Sequence, residues 1–419
     1  RYIESFTNLE KSGSLFSPRT YRLDRMRLLL ERFDHPQLAY RTIHIAGTKG
    51  KGSTATLLAH ALHAAGVRTG LYTSPHVTSY LERMEVLGEA PRIPEILAMA
   101  DVHHPNIIRE MVISALKTGQ ENDYLADLKM LRATMKEMRY TSKMFGPYRE
   151  RKKVTIFGSA RTAPDEESYK KCVKFSRQLV RLGYMVITGG GPGIMQAGNE
   201  GAGAENSFAV NIRLPFEQGT NPVMENSGHT ITYQYFFNRK VAFLKEADAV
   251  ALFPGGFGTL DEAMETLTLV QTGKNPPIPL VLIDDDDGSY WEPWLDFMKK
   301  VMLKRGLISG EDFSLFTITR DPFEAAQVID DSYRNYHSSR WVGSTYVIRL
   351  NKPLSKENLA VLEGEFREII EPGSQLELTV ALPEEQDQPD LVDLPRLVFQ
   401  FNRRNYGLLK AFLRRLNAF

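Results

Sequence analysis

The stretch AVALFPGGFGTLDE, residues 249–262, is the strongest indication of the fold of this chain. Its first five residues are all apolar and predict a buried strand. The glycine-rich residues that follow lead into a predicted helix at residues 263–270. Glycines at such a junction let backbone N–H groups surround an anion, and the start of a helix adds a favourable dipole. Glu262 would then lie beside a bound phosphate without being its ligand. The pattern indicates chemistry on a phosphorylated small molecule, with an ordinary strand-to-helix turn as the alternative.

Length and composition limit the classes of protein. A chain of 419 residues predicts two or three domains, and 42% hydrophobic with 25% charged residues is typical of a soluble globular protein. The formal net charge of +1 favours neither nucleic acid nor membrane as a partner. The single cysteine, Cys172, excludes an internal disulfide framework and fits a reducing compartment. Because no apolar run reaches about 18 residues and no apolar signal core begins the chain, we expect a cytoplasmic protein.

The pattern along the chain predicts four parts. Residues 1–97 carry their own glycine-rich motif, and residues 98–150 form a polar helical linker. Residues 151–335 alternate apolar strands with amphipathic helices, and residues 340–419 form a small α+β module for regulation or dimerisation. Two charged segments are predicted to be solvated: the acidic loop 284–287 and a basic helix face formed by Arg403, Arg404, Lys410, Arg414 and Arg415.

The third part predicts the α/β fold class, a doubly wound, Rossmann-like parallel sheet with helices on both faces. Ligands of such sheets bind outside the carboxyl ends of the strands. The loops 158–161, 189–193 and 255–259 all meet that condition and are rich in glycine or small residues. A dinucleotide site is disfavoured, because the G-x-G-x-x-G spacing does not follow the first strand. A pyridoxal phosphate site would need a lysine in a suitable setting, and none is marked for that role.

The motifs GGGPGIM (189–195), Arg239-Lys240 and PGGFGTLDE (254–262) together resemble the Lonely Guy family. That family includes cytokinin-activating phosphoribohydrolases and nucleotide nucleosidases, and residues 98–150 and the tail to residue 419 resemble its longer bacterial branch. Many relatives were once labelled lysine decarboxylases, a label that these residues do not support. The resemblance implies hydrolysis of the N-glycosidic bond of a nucleoside 5′-monophosphate to a free base and ribose 5-phosphate. It implies no cofactor or metal for this reaction; we expect a homodimer or a larger homo-oligomer, and the base preference stays open.

The resemblance also implies roles for individual residues. Glu262 would stabilise the positive charge that develops on the ribose and align or deprotonate the water. Arg239, the second catalytic candidate, would hold the phosphate or orient the substrate through its planar fork. The backbone amides of the signature would bind the 5′-phosphate, namely those of Gly255, Gly256, Gly258 and Thr259. The remaining substrate-binding candidates are Gly158, Ser159, Gly190, Gly191, Lys240 and Thr268.

The first part carries a second phosphate motif. Residues 43–46 predict a strand, and GTKGKGST (47–54) would open the following helix, with Lys51 directed at the terminal phosphates and Ser53 or Thr54 on Mg²⁺. The candidate ATP-binding residues are Gly47, Gly50, Lys51, Gly52, Ser53 and Thr54. With residues 70–77 and 82–84, the motif resembles folylpolyglutamate and dihydrofolate synthases over residues 15–95 only. It therefore indicates a partial P-loop α/β unit, with ATP and Mg²⁺ as candidate ligands.

Two other functions stay open at this point. One is a non-catalytic carrier of a phosphorylated, pterin-type ligand on the same fold. The other is an ATP-dependent folate ligase fusion, although residues 1–150 leave no room for the complete ligase. Release of ribose 5-phosphate would distinguish hydrolase from carrier, and ADP formation with folate and glutamate would identify the ligase.

Overall fold

A computed structural model describes residues 27, 30–32, 34–35, 38–47, 50–73, 84–86, 100, 102–215, 219–385 and 387–419. The contacts divide the chain into two compact units, Arg1–Asp123 and Tyr124–Phe419. The segment 98–150, predicted as one helical linker, is thus divided between the two units. The C-terminal module belongs to the same unit as the Rossmann-like domain.

The described part of the first unit contains two longer helices and one pair of antiparallel strands. Helix α1 spans Lys51–Ala64, strands β1 (Gly70–Tyr72) and β2 (Met84–Val86) pair antiparallel, and helix α2 spans Pro105–Glu121. The prediction of a strand at residues 43–46 is wrong, because these residues are irregular. A strand needs a neighbour for its backbone hydrogen bonds, and in the described part of this unit β1 and β2 pair only with each other.

A seven-stranded parallel sheet forms the centre of the second unit. Its strands are β3 (Lys153–Phe157), β4 (Met185–Thr188), β5 (Ser207–Ile212), β6 (Thr230–Tyr233), β7 (Ala249–Leu252), β8 (Leu280–Ile283) and β9 (Phe316–Thr319). Their spatial order is β6-β5-β4-β3-β7-β8-β9. The predicted doubly wound α/β fold is confirmed.

Helices cover both faces of this sheet. They are α3 (Leu125–Phe145), α4 (Glu167–Arg181), α5 (Ile194–Ala202), α6 (Phe236–Lys245), α7 (Phe257–Gln271), α8 (Trp291–Phe297) and α9 (Pro322–Asp331). One apolar layer joins α3, α6, α7 and α8 to the strands, and the other joins α4, α5 and α9. The second layer includes Cys172, which is fully buried as its helical pattern suggests. Among the described residues, no helix has both the length and the apolar character that a membrane span requires.

The order of the strands places one crevice in the middle of the sheet. The chain starts at β3, builds outward to β6, and then returns to β7 on the other side of β3. The loops that follow β3 and β7 therefore run in opposite directions, which leaves a gap at the carboxyl ends of these two strands. This switch point is where ligands of open α/β sheets bind, and the glycine-rich residues 158–161 and 254–258 follow these two strands directly.

The C-terminal module is a separate antiparallel sheet with two helices. Strands β10 (Tyr336–Val342), β11 (Thr345–Leu350), β12 (Glu377–Thr379) and β13 (Arg396–Phe399) have the order β10-β11-β13-β12. Helices α10 (Lys356–Glu365) and α11 (Tyr406–Leu416) accompany this sheet. A mixed aliphatic and aromatic core holds the module together, and its aromatic members include Tyr346, Phe366, Phe399, Phe401 and Phe412. The predicted α+β module is confirmed.

The acidic loop after β8 is not uniformly solvated, so that prediction is wrong for Asp284. Its side chain is 1% exposed, and its carboxylate accepts the N–H groups of Asp285, Tyr290, Trp291 and Glu292 at 2.8–3.3 Å. Most of these donors belong to the first turn of α8, where N–H groups have no partner within the helix. Asp284 thus connects the end of a central strand to the start of the next helix.

The predicted basic face of α11 is also wrong at Lys410. Its side chain is buried, and its Nζ donates to the carbonyl of Pro277, just before β8, at 2.7 Å. Arg415, in contrast, is partly exposed and pairs with Glu365 at 3.0 Å. The helix therefore directs one of its cations into the protein and another toward solvent.

We predict that Asp284→Ala lowers the free energy of unfolding by about 1–3 kcal/mol, because it removes a buried acceptor of several backbone N–H groups. Urea unfolding at pH 7, followed by tryptophan fluorescence, measures the change. The matched control is Asp286→Ala, two residues away, whose mostly exposed carboxylate pairs with Lys171 at 2.6 Å; it should lose less than about 1 kcal/mol. Equal losses for the two variants would contradict the capping role.

Candidate functional site

Three loops meet at the carboxyl edge of the central strands. The backbone N–H of Ser159, after β3, donates to the carbonyl of Pro254, after β7, at 3.0 Å. The carbonyl of Ser159 accepts the N–H of Ile194, the first residue of α5, at 3.0 Å. The structure therefore brings together the three loops that the sequence singles out.

Glycines make this close approach feasible. A Cβ on Gly158 would lie 2.6 Å from Ile194, and a Cβ on Gly255 would lie 2.1 Å from Oγ1 of Thr259. Gly193 has a φ of +66°, and a Cβ there would lie 2.3 Å from the carbonyl oxygen of Ser159. These positions exclude larger residues because of packing or backbone conformation. A Cβ on Gly256 or Gly258 would meet no atom within 4 Å, so the open space lies at the start of α7.

The start of α7 offers backbone donors to an anion. Gly256 is its N-cap, and the first N–H groups of a helix have no partner within it. Gly256, Phe257 and Gly258 are exposed, with the Phe257 side chain 93% exposed. The amide of Thr259, predicted to bind phosphate, instead donates to the carbonyl of Gly256 at 3.0 Å. The candidate backbone donors at the start of α7 are thus the amides of residues 256–258.

One predicted substrate-binding amide in each of the other two loops is already engaged. The N–H of Gly190 donates to Oγ1 of Thr188 at 3.1 Å, and the N–H of Ser159 is bound to Pro254 as described. Asn221 Nδ2 donates to the carbonyls of Gly190 and Gly191 at 3.1 and 3.2 Å. Asn221 is not among the predicted site residues, and its sequence signal is weak, because an asparagine before a proline is typical of any turn. In this structure Gly190 and Gly191 shape the loop.

Glu262 lies on α7, one turn beyond the open amides. Its side chain is 9% exposed, and its Oε2 is buried with no hydrogen-bond partner. Burial raises the pKa of Glu262 to about 7, although Lys240 and Arg239 favour the ionised form, and Glu265 adds to the increase. A buried carboxyl that titrates near neutral pH is typical of an acid or base that takes part in catalysis.

Arg239 projects from α6 toward the ends of β4 and β5. Its Nε donates to the carbonyl of Val210 at 2.8 Å, and its Nη2 lies 3.5 Å from the carbonyl oxygen of Gly189. Burial lowers the pKa of Arg239 to about 10, and the charge of Glu262 opposes that decrease. The guanidinium therefore stays charged at neutral pH and contributes a fixed positive field at Glu262.

Helix α3 supports the helix that carries Arg239. The carboxylate of Glu137 accepts the N–H of Gln234 at 2.8 Å and the Nδ2 of Asn238 at 2.6 Å. Since Asn238 precedes Arg239 in the chain, these bonds restrain the start of α6. Residues 98–150, which include Glu137, were predicted to be a linker with no part in the site.

Lys240 has a different role from its neighbour. Its Nζ pairs with Asp261 at 2.8 Å and with Glu265 at 2.9 Å. Burial lowers the pKa of Lys240, but the hydrogen bonds to these two carboxylates outweigh it and raise the pKa overall. The lysine therefore joins α6 to α7, and its charge is already paired within the protein.

Thr268 is remote from the other candidates. It shares a helical face with Asp261 and Glu265, since positions i, i+4 and i+7 align. It lies about 10 Å farther along α7 than Asp261, and its side chain is exposed. The structure does not bring Thr268 together with Glu262 in this chain.

The N-terminal motif is described in part, since Thr48 and Lys49 lie outside the described residues. Gly50 has a φ of +72° and is the N-cap of α1, so a glycine is needed there. Lys51 Nζ donates to the carbonyl of Gly47 at 2.6 Å, which folds the side chain back over the loop. Gly52 is partly exposed, and Ser53 and Thr54 are exposed. Over the described residues as a whole, no group of three or more His, Cys, Asp or Glu side chains is arranged to hold a metal ion.

Comparisons with known proteins separate the two parts of the chain. Residues 193–329 match the family model described as "Possible lysine decarboxylase". The folylpolyglutamate synthase of Lacticaseibacillus casei is 42% identical over 85 residues, which are 20% of this chain and 18% of that protein. The dihydrofolate synthase/folylpolyglutamate synthase of Bacillus subtilis is 36% identical over 85 residues, again 20% of this chain and 20% of that protein. The chain thus spans about a fifth of the length of these curated relatives.

Solved structures similar to this chain cover less than half of it. The molybdenum cofactor binding protein of Rippkaea orientalis aligns with a TM-score of 0.30 and 19% identity, over 43% of this chain and 95% of that one. The molybdenum cofactor carrier protein of Chlamydomonas reinhardtii aligns with a TM-score of 0.30 and 18% identity, over 42% of this chain and 94% of that one. No functional conclusion follows from similarity at this level.

We predict that Glu262→Gln becomes more stable relative to the native protein as the pH rises. A carboxyl whose pKa is raised on folding contributes its full stability below the ordinary value of 4.5, and that contribution is lost as the pH rises to about 7. The amide does not titrate, so its advantage should grow across this window by up to about 3 kcal/mol.

Urea unfolding at pH 5 and pH 8 measures this difference. The matched control is Glu363→Gln, the same exchange at a half-buried site on α10, where the carboxylate lies 3.8 Å from Arg367. Its effect should vary little between the two pH values. A pH-independent effect of Glu262→Gln would show that this carboxyl is not destabilised by burial.

Proposed function

We propose that this protein hydrolyses the N-glycosidic bond of a nucleoside 5′-monophosphate, releasing the free base and ribose 5-phosphate. The observation that supports the proposal most is that Glu262 has a buried carboxylate oxygen without a hydrogen-bond partner. This residue lies one turn beyond the open space at Gly256 and Gly258, at the start of α7. The family match over residues 193–329 supports a phosphoribohydrolase-like role in coarser terms, through the Lonely Guy relatives that share the label. The specific reaction, hydrolysis of a nucleoside 5′-monophosphate, goes beyond that match and is our proposal.

The spacing along α7 suits a phosphorylated pentose. Glu262 is four residues beyond Gly258, about 6 Å along the helix axis. That distance is on the order of one ribose ring with its phosphate, so a phosphate held at residues 256–258 would leave the sugar beside Glu262. Arg239, buried on the adjacent helix, would orient the substrate with its remaining N–H groups. Lys240 would act indirectly by keeping α6 and α7 together.

The chemistry requires an anionic group near the anomeric carbon. As the C1′–N bond breaks, positive charge develops on the ribose ring, and an ionised Glu262 would stabilise it. A water molecule forms the new C1′–O bond and loses a proton to Glu262, and the departing base receives that proton. The hydroxyl group of the water thus ends on C1′, and its other proton ends on the base. A pKa near 7 suits a group that must accept and return a proton at neutral pH.

We predict that the full chain releases ribose 5-phosphate from at least one member of a panel of purine and pyrimidine nucleoside 5′-monophosphates. Glu262→Gln should lower kcat by about 10²–10⁴, the range for loss of a general base, whereas Glu363→Gln should change it less than about twofold. Since only the ionised acid serves as base, kcat of the native protein should rise between pH 5.5 and 8 with an apparent pKa near 7. Liberated ribose 5-phosphate is measured directly.

The same assay separates hydrolase from carrier. If no nucleotide is hydrolysed and Glu262→Gln binds the monophosphates as tightly as the native protein, the hydrolase proposal is wrong and a carrier of phosphorylated ligands replaces it. Nucleosides without the 5′-phosphate test the cradle, because they should be poor substrates. Equal turnover of AMP and adenosine would show that residues 256–258 do not bind the phosphate.

A homo-oligomer is also part of this proposal. Phe236, Phe237 and Val241 at the start of α6 are 46–56% exposed, and Phe257 projects from the start of α7. Exposed apolar side chains beside a ligand site are typical of an interaction surface. A second copy of the chain would cover them.

The N-terminal loop carries a separate proposal, the binding of ATP phosphates with Mg²⁺. Lys51→Ala should weaken ATP binding about tenfold or more, since it removes the cation of the loop, while Lys117→Ala on α2 should have little effect. Fluorescent ATP-analogue binding to the full chain measures both. Absence of ATP binding would reject this proposal, and absence of ADP formation with folate and glutamate would reject the folate-ligase function.

A further inference from the structure

A cavity of about 340 Å³ lies between the Rossmann-like domain and the C-terminal module. Its walls come from the segment before β8, the starts of β8 and β9, the end of α9, and α11. These are the amino ends of the parallel strands, whereas the candidate hydrolase site lies at their carboxyl ends. The cavity is therefore distinct from the candidate hydrolase site, and a ligand could bind in it whether or not the proposed reaction takes place.

Three cationic residues line this cavity: Lys410 and Arg414 on α11, and Arg334, which is paired with Asp331. Lys410 and Arg414 are one turn apart on α11 and both border it. Lys410 is 7% exposed, and its Nζ donates to the Pro277 carbonyl at 2.7 Å. An ammonium group has three N–H donors, so one carbonyl satisfies a third of them. Arg414 makes only long contacts, 3.4 Å each, to the carbonyl of Ser314 and Oγ1 of Thr317.

The acids near the cavity have other partners. Asp331, which lines it, pairs with Arg334. Asp312, on the turn that packs against α11, accepts Nε2 of Gln271 and the N–H of Ser309 at 2.8 Å each. The other ionisable side chains that line the cavity are Arg334, Tyr333 and Tyr336. Glu311 lies on the turn that packs against α11, and Asp330 lies at the end of α9. Burial, and to a smaller degree Arg414, lowers the pKa of Lys410 to about 7.

Part of the lining is apolar. Leu280, Leu315, Val328 and Leu413 provide aliphatic surface, and Tyr336 provides an aromatic ring. A volume of about 340 Å³ is near the lower end of the range for small-molecule sites. A buried cation is costly unless an anion or several acceptors satisfy it. One buried cation, Lys410, with the more exposed Arg414 beside it in a partly apolar chamber, thus matches a compact molecule with an oxyanion at one end.

We propose that this cavity is a second ligand site, which binds a small organic anion. Its carboxylate or phosphate group contacts Lys410 and Arg414, and its apolar body packs against Leu280, Leu413 and Tyr336. The ligand bridges β8 and α11, so it links the C-terminal module to the central sheet. The competing explanation is that Lys410 only donates to Pro277, in which case the cavity binds no anion.

Calorimetric titration of the full chain at pH 8 and constant ionic strength tests the proposal. The probes are phenyl phosphate and benzoate, which distinguish the two oxyanions, and benzyl alcohol, which has no charge. At least one anion should bind with a Kd of about 1 mM or below, and benzyl alcohol at least about tenfold more weakly. Lys410→Met and Arg414→Gln should each weaken anion binding about tenfold, whereas Arg415→Gln, at the adjacent position that pairs with Glu365, should not.

Proton uptake provides a second readout. At pH 8 most Lys410 side chains are neutral, and a bound anion raises the pKa of Lys410. Binding should therefore take up close to one proton per ligand, measured from the heats in two buffers of different ionisation enthalpy. Lys410→Met should abolish the uptake. Phenyl phosphate could also bind at the carboxyl-edge site, and neither α11 substitution should change its affinity there. Only binding that Lys410→Met or Arg414→Gln weakens is therefore evidence for the cavity site.

Three outcomes would overturn the proposal. The first is that neither anion has a component that Lys410→Met weakens. The second is unchanged affinity in Arg414→Gln, which also decides the question if Lys410→Met fails to fold. The third is equal proton uptake by the native protein and Lys410→Met. Each would leave Lys410 as a structural donor to Pro277.

Discussion

Two backbone hydrogen bonds at Ser159 hold the candidate site together. One joins the loop after β3 to the loop after β7, and the other joins it to the start of α5. They form only because Gly158, Gly193 and Gly255 let three loops approach within the radius of a side chain. Without that approach, the start of α7 and the end of β4 would not share one crevice. The glycines thus act mainly through packing, and the open amides lie on the neighbouring Gly256 and Gly258.

Buried charges in the second unit differ in how well they are satisfied. Two buried carboxylates have several partners: Glu385 accepts from Arg349 at 2.7 Å and from Arg396 at 3.1 Å, and Asp284 accepts several backbone N–H groups. Glu262 has a buried oxygen without a partner, and Lys410 has one carbonyl acceptor. An unsatisfied buried ion destabilises the fold. Its presence is therefore a physical reason to infer a ligand or a reaction at both positions.

The patterns in the sequence predicted the sheet well and the individual charges poorly. Uniformly apolar strands separated by amphipathic helices allow few arrangements other than a covered parallel sheet, and the glycine loops had to fall at its carboxyl edge. The solvated state predicted for Asp284 and Lys410 was wrong, because burial of a charged residue depends on partners that are distant in the chain. Asn221 and Glu137 were missed for the same reason. The strand expected at residues 43–46 failed because strand formation requires a neighbour, which local sequence does not reveal.

Local periodicity and glycine placement were enough to predict the doubly wound sheet, and they predicted a glycine-rich turn followed by an acid after β7. The folded arrangement was needed to show that Lys240 is paired with Asp261 and Glu265, that Arg239 faces the strand ends and that Glu262 is buried. It also decided that α11 and the start of β8 enclose a cationic cavity. The reason is physical: backbone preference acts over a few residues, whereas desolvation and charge pairing depend on which remote groups share the same space.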